Sequence, residues 1–491
     1  MKTLIIGFDG ASENTFKRGW TPFIESLIKK GKVIDLKEDL LSRGWVEIYT
    51  GNHATENGGM YEYPIMDGTY HFTRKFNLNI CKESKNKKIL EIISNKNYKV
   101  GIMNIPTTFP RPKINGFFVS GGGGESKNII SSDKIYPKKI LNTLKKNNYI
   151  MDERIPEILN KRDININKFF QRYININRFR TNSFLELANI FKLDFGTIIF
   201  KSSIVATETI LLPELERLNK SNKVNKKAIS VIKNFYLELD KDVKKIVNDF
   251  KDFQIIFVSD HSMAVCKYKV NLNTILEKYG FQYKNKRKKF RYKFIQFLRN
   301  SMPLKIKNFL KNNSNLNNLY NSAIDFDNTS SVAFSITKSH NFQGIFINDK
   351  LRFNGIVPKE KIEIFIDQII NSINNDPEAK IHKIKAYRYG YGFTKEQKKF
   401  PDILVSMQEG YAPSNIHSEF IFKSNDWKYP FNLKSLYKDI YQSCKSYKPF
   451  LAIINNKYPF EKFKYKKKDL TFLYHYLNYY LEQLEKDKRK K

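Results

Sequence analysis

From its first residues the chain alternates short, continuously apolar runs with longer segments in which apolar residues recur every three or four positions. Runs of the first kind suit strands buried on both faces and those of the second suit amphipathic helices. Their alternation predicts an α/β fold with a mostly parallel sheet covered by helices on both faces. Thr3 to Phe8 reads as a buried strand that stops at Asp9-Gly10. Thr21-Pro22 then opens a helix through Phe23, Leu27 and Ile28 that closes at Gly31, Pro being suited to the first turn and Gly to the end. Further strands are expected at 100–105, 196–200, 254–258 and 403–405, and a helix over 228–250.

Two regions break this rhythm. Around 284–320 the chain turns strongly basic and Asn-rich, with Pro303 inside it, and reads as an insertion or cap. From 426 on, aromatic and lysine residues dominate and end in an amphipathic helix over 469–491. The expected organisation is a main domain over 1–425 carrying the insertion, then an extension over 426–491. That last helix reads as docked with a solvated tip, the other reading being peripheral contact with a membrane surface. No period repeats along the chain.

At 491 residues the chain can bury a large core, and 41% hydrophobic residues fits a globular protein. No apolar run approaches membrane-spanning length and the start lacks a cleavable leader pattern, so a cytoplasmic location is expected. Cys81, Cys266 and Cys444 are far apart and odd in number, which argues for free thiols over disulfides or a thiolate metal site. The formal charge of +37 attracts anionic partners in principle. Lysine far outnumbers arginine, however, and the excess is spread through Lys-, Asn- and Ile-rich stretches, the pattern of a solvated lysine surface. A nucleic-acid role would rest on charge alone, without a readable recognition motif.

Hard ligands and a hydroxyl at the carboxyl ends of strands would suit metal-assisted ester chemistry. Asp9 follows the first strand, although Asp-Gly is also an ordinary turn. Asp260-His261 follows the apolar run 255–258, where the bland alternative is a capping Asp beside a hydrogen-bonded His. Ser42 lies in Leu41-Ser42-Arg43-Gly44-Trp45, leading to Thr50-Gly51, and could equally be a helix cap. Gly121 to Gly124 lacks the Lys-Ser/Thr ending of a P-loop and reads as a plain loop.

Taken together, these segments resemble the type I phosphodiesterase and nucleotide pyrophosphatase family of the alkaline-phosphatase superfamily, in order from Lys2 to about Ser418. IIGFDGAS resembles the family's first metal-aspartate segment, TPFIESLIKKG its first helix and LLSRGWVEIYTGNHATENGG its nucleophile loop. VGIMNIPTTFPRPKINGFFVSGG resembles a later strand and Pro-Thr segment, and IIFVSDHSM stands where the family has an Asp-His-Gly pair. FDNTSSVAF, GIFIN and FPDILVSM resemble its later strands.

The resemblance implies an alkaline-phosphatase-like three-layer sandwich. It further implies that Asp9, Asp260 and His261 bind one divalent ion, Zn2+ or else Mn2+ or Mg2+, with Ser42 as nucleophile. The family's nucleophile falls nine positions before the Thr of Thr-Gly, which here lands on Leu41. A one-residue deletion moves it to Ser42, with Thr50 as the fallback hydroxyl. Arg43 would hold a phosphoryl oxygen, and His53 and His340 would reach the substrate crevice. The family's second ion fits less well. Ser203 and Thr207 occupy the expected Asp and His positions, Glu208 is one residue out of register, and His417 is the match for a late histidine without its flanking glycines. His71, His382 and His475 read as structural or exposed. The expected activity is phosphodiester hydrolysis through a phosphoseryl intermediate, on a phosphorylated small molecule, glycan or lipid head group. Two alternatives stay open: a phosphoryl transferase, and a catalytically impaired member that binds such a ligand. Sulfatase chemistry is disfavoured because the Cys/Ser-Pro-Arg spacing is missing.

Overall fold

A computed structural model describes residues 1–60, 63–70, 72–73, 88–108, 111–121, 130–151, 166–207, 226–284, 326–335, 343–389, 397–414, 419–424, 443–458 and 460–490. The chain divides into two compact units, one of residues 1–59, 76–265 and 425–491, the other of residues 60–75 and 266–424.

The first unit is built on an eight-stranded sheet whose strands, in chain order, are β1 (Thr3–Phe8), β2 (Lys32–Asp35), β3 (Val100–Ile105), β4 (Gly116–Ser120), β5 (Ile135–Tyr136), β6 (Phe195–Phe200), β7 (Gln254–Val258) and β8 (Phe450–Ile454). Their spatial order is β2-β8-β7-β1-β6-β3-β4-β5. The run β7-β1-β6-β3-β4 is parallel, while β8 pairs antiparallel with both β7 and β2, and β5 antiparallel with β4. Every residue of β1, β3, β6 and β7 is buried, which explains why they read as unbroken apolar runs.

Helices cover both faces. On one, α1 (Pro22–Lys30), α4 (Ile166–Phe191) and α5 (Lys226–Asp249) share a core with Leu4, Ile6 and Phe8. On the other, α2 (Gly44–Thr50), α3 (Ile89–Asn95) and α6 (Thr471–Arg489) share one with Ile5. Alternation along β1 therefore feeds two cores, each large side chain fully buried there contributing ~2 kcal/mol of transfer free energy. The amino end of α1 receives its cap from a neighbour: Asp240 on α5 accepts the N–H groups of Phe23 and Ile24 at 3.0 and 2.8 Å. No described helix is long and apolar enough to cross a membrane.

In the second unit a four-stranded antiparallel sheet runs Ala333–Phe334, Gly344–Ile347, Ile403–Ser406, Lys385–Arg388. The strand expected at 403–405 thus belongs to this sheet and not to the parallel one. Helix Ile362–Asn375 packs its Ile366, Ile369 and Ile373 face into that unit's core. There Arg352 is buried between Asp349 and Asp402, each at 2.6 Å, which satisfies three buried charges together.

The other elements fall close to the reading of the sequence, with α5 spanning 226–249 and the last helix 471–489. The 26-residue α4 was not singled out, because Asn and Arg interrupt its apolar stripe. Residues 285–320 of the basic insertion, Gly122 to Gly124, Cys81, His71, Glu208, His340 and His417 lie outside the described residues. Cys266 and Cys444 are buried.

Candidate active site

Parallel pairing of β1 with β7 sets the first group. Gly7 lies opposite Val258, so two residues further along, where both strands end, Asp9 comes level with Asp260. His261 follows, and one ligand atom from each of Asp9, Asp260 and His261 lies within 4.8 Å of the others. His261 Nε2 is 3.8 Å from Asp9 Oδ1 and 3.7 Å from Asp260 Oδ2. The ring's other nitrogen, Nδ1, donates to Ser262 O at 3.0 Å, which leaves the Nε2 lone pair facing two carboxylates. Burial, reinforced by Lys445, pulls the imidazole down to about 3, so it is neutral. Burial raises both carboxyls to about 6, Asp260 adding to the effect on Asp9 while Lys445 opposes it at each. Asp260 Oδ1 is buried and has no hydrogen-bond partner.

Three lone-pair donors converge here with no proton donor between them. Such an arrangement is repulsive alone and fits a divalent cation, for which carboxylate oxygen and imidazole nitrogen are ordinary ligands. Trp45 of α2 steadies it by donating Nε1–H to Asp9 Oδ2 at 3.3 Å. Gly44 is required beside it, since a Cβ there would stand 2.6 Å from the carbonyl oxygen of Asp260 and 2.9 Å from its Cβ.

Ser42, just before α2, sits in a turn held by Asp39, whose Oδ1 accepts the N–H groups of Leu41 and Ser42 at 2.9 and 3.3 Å. Its hydroxyl lies 3.0 Å from His53 Nε2, and the same nitrogen is 2.8 Å from Asp39 Oδ2. Glu47 Oε1 is 3.6 Å away. Burial alone would lower the His53 pKa, but Glu47 and Asp39 outweigh it and push it up to about 9. One nitrogen facing both serine and aspartate does not form a relay, which needs the two ring nitrogens on opposite partners. His53 therefore orients the Ser42 hydroxyl. Glu38 and Glu47 complete this second group, with ligand atoms of Glu38, Glu47 and His53 all within 4.8 Å of one another. Burial, then mutual repulsion with Glu47 and Asp39, raises the Glu38 carboxyl well above its usual range; burial likewise raises Glu47.

Glu38, Asp39 and Glu47 were not among the expected site residues. A usable signal was present for Glu47: an acid inside the otherwise apolar run Trp45-Val46-Glu47-Ile48-Tyr49, all of it buried.

Thr50 donates to Val46 O at 2.7 Å and accepts from Asn57 Nδ2 at 3.1 Å, so its hydroxyl serves the helix and the loop after it. Arg43 is buried and its N–H donates to Gly59 O at 2.7 Å. Ser203, on the short helix Ser202–Ala206, donates to Asp9 O at 2.6 Å and Phe200 O at 2.9 Å. Thr207 bonds Ser203 O at 2.9 Å and Tyr236 OH at 2.8 Å. Both hydroxyls are engaged in hydrogen bonds with uncharged groups. His382 pairs with Tyr411 OH at 2.8 Å, and His475 stacks on Tyr465 with ring centroids 4.1 Å apart.

The family model described as type I phosphodiesterase / nucleotide pyrophosphatase matches residues 3–419, leaving β8 and α6 outside the match. No curated protein sequence matches the chain. Among solved structures, phosphonoacetate hydrolase from Sinorhizobium meliloti 1021 in complex with phosphonoformate is similar over 97% of this chain and 95% of its own, at 9% identity and a TM-score of 0.49. Murine ectonucleotide pyrophosphatase / phosphodiesterase 5 shares 11% identity and its human counterpart 12%, each with a TM-score of 0.43 over the same shares of both chains.

Proposed function

The chain belongs to the type I phosphodiesterase / nucleotide pyrophosphatase family of the alkaline-phosphatase superfamily, and from that premise we propose that it cleaves a phosphodiester with Ser42 as nucleophile and Asp9, Asp260 and His261 as ligands of one divalent cation. The observation that carries this reading is the buried, partnerless Asp260 Oδ1 beside a neutral imidazole whose free nitrogen points at two carboxylates. A bound divalent ion supplies charge neutralisation at a phosphoryl oxygen and eases ionisation of a nearby hydroxyl. The protein's own part is positioning. Trp45 and Gly44 tie α2 to the ligand triad, while Asp39 and His53 fix the turn and hydroxyl of Ser42. Attack by Ser42 Oγ on phosphorus forms the Oγ–P bond as one ester P–O bond breaks; the serine proton passes through solvent to the departing alcohol, and a phosphoseryl group that keeps the other ester arm remains. The substrate class is a small phosphodiester, and the metal Zn2+ or Mn2+.

Ser203 and Thr207 favour a second reading for the later half-reaction. With their hydroxyls engaged by backbone and tyrosine, the family's second ion has no evident ligands among the described residues, so the phosphoryl group passes slowly to water or instead to another acceptor. Turnover of bis(nitrophenyl) phosphate with Zn2+ or Mn2+ tests both readings. Ser42→Ala should abolish release and 32P-labelled substrate should mark wild-type Ser42. Unchanged turnover in Ser42→Ala removes the serine from the mechanism, and acceleration by added alcohols identifies transfer.

A further inference from the structure

We infer that Glu38, Glu47 and His53 form a second divalent-cation site beside Ser42, built from residues other than those at the family's second position. Three features of the cluster point this way. The ligand atoms of the three side chains lie within 4.8 Å of one another, close to the spacing of donors that share an ion at ~2.0–2.2 Å. Glu47 is only 1% exposed, and neither of its buried carboxyl oxygens meets a hydrogen-bond partner. Glu38 is 8% exposed and its Oε2 is likewise without a partner, its Oε1 accepting the Asp39 N–H at 3.0 Å.

The chemistry of the set points the same way. Glu38, Asp39 and Glu47 bring three carboxyl groups around one imidazole, and the buried oxygens of Glu38 and Glu47 meet no hydrogen-bond donor. Buried carboxylates without donors are costly, and a divalent ion is the occupant that balances this set. Oxygen donors with a single imidazole suit Mn2+ or Zn2+ better than Ca2+. The rival arrangement is a proton shared between Glu38 and Glu47, as in paired carboxyls elsewhere. The inference concerns binding and does not depend on turnover.

The full-length chain, freed of metal and dialysed against Mn2+, should retain two ions by elemental analysis. Asp260→Asn should retain one, and Asp260→Asn combined with Glu47→Gln none. Glu47→Gln alone should weaken one class of site at least tenfold and lose part of the rise in Tm that Mn2+ produces. If Glu47→Gln binds Mn2+ with wild-type stoichiometry and affinity, the site does not exist and the shared proton accounts for the cluster. Loss of an ion in Glu47→Gln but not in Asp260→Asn would instead overturn the triad while leaving this site intact. Should Glu47→Gln fail to fold, substoichiometric Mn2+ on wild-type protein decides: selective broadening of the His53 ring resonances supports the site, and their persistence refutes it.

Discussion

Two clusters in the first unit share one inventory, two carboxylates and an imidazole, yet hold the imidazole in opposite states. Beside Asp9 and Asp260, His261 is kept neutral, its pKa near 3; beside Glu38 and Glu47, His53 is driven to about 9. Both rings feel burial, so burial does not decide. Distance and third partners do. His261 stands 3.7 and 3.8 Å from its carboxylates with Lys445 adding positive charge, whereas His53 has Asp39 at 2.8 Å in addition to Glu47. Composition of a cluster therefore says little about its protonation until the closest contact is known.

The strongest way to break the comparison is to remove the charge from the first cluster. Asp260→Asn should lower phosphodiester turnover by more than ~10³-fold and eliminate an ion, since the proposed triad loses an anionic ligand; kinetics with metal analysis measures both. Gly44→Ala should act on the same cluster through α2, because its methyl must displace the Asp260 backbone, and we expect ~10–100-fold weaker metal binding by titration calorimetry. Trp45→Phe, which removes only the indole N–H from Asp9, should cost about tenfold in the same assay and leave the cluster at His53 unaffected.

The smallest effect sharpens the comparison with a carboxylate that has no imidazole beside it. Asp242 on α5 is buried, its Oδ2 lacks a hydrogen-bond partner, and burial raises its pKa from 3.8 to about 7 against the pull of Arg178. The folded state then holds a proton that the unfolded state has lost, so this group's contribution falls as pH rises from about 4 to about 7. Asp242→Asn should flatten that slope and stabilise the protein by ~1–3 kcal/mol at pH 8, read from urea melts at pH 4 and pH 8. A steeper decline in the variant would refute the assignment.

Why the first cluster could be read from sequence and the second could not follows from how each is assembled. Asp9 and Asp260 terminate strands that are buried on both faces, and such strands announce themselves as apolar runs with a polar stop. Their adjacency then needs only the parallel register that brings Gly7 opposite Val258. Glu38, Asp39, Glu47 and His53 come from a turn, the middle of a seven-residue helix and the cap of a four-residue one. No periodicity marks those positions, and a left-handed Leu40 shapes the turn in a way its side chain does not foretell. The hydroxyls of Ser203 and Thr207 were visible as poor ligands, but their carbonyl and tyrosine partners emerge only from packing. The strand at Ile403–Ser406 was legible as a strand, though not its antiparallel sheet, because a short apolar run carries no information about its neighbours.

The helix that bears Glu47 and Trp45 ends at Gly51, a left-handed residue over which Tyr474 of α6 lies so closely that a methyl group would stand 2.2 Å from the ring. The final helix, outside the span matched by the family, thus braces the element that bears Trp45 and Glu47. Drift in that tail can therefore shift the seven-residue helix without altering any residue of its own, and a spin label on the exposed Lys486 offers a vantage from which that movement becomes audible.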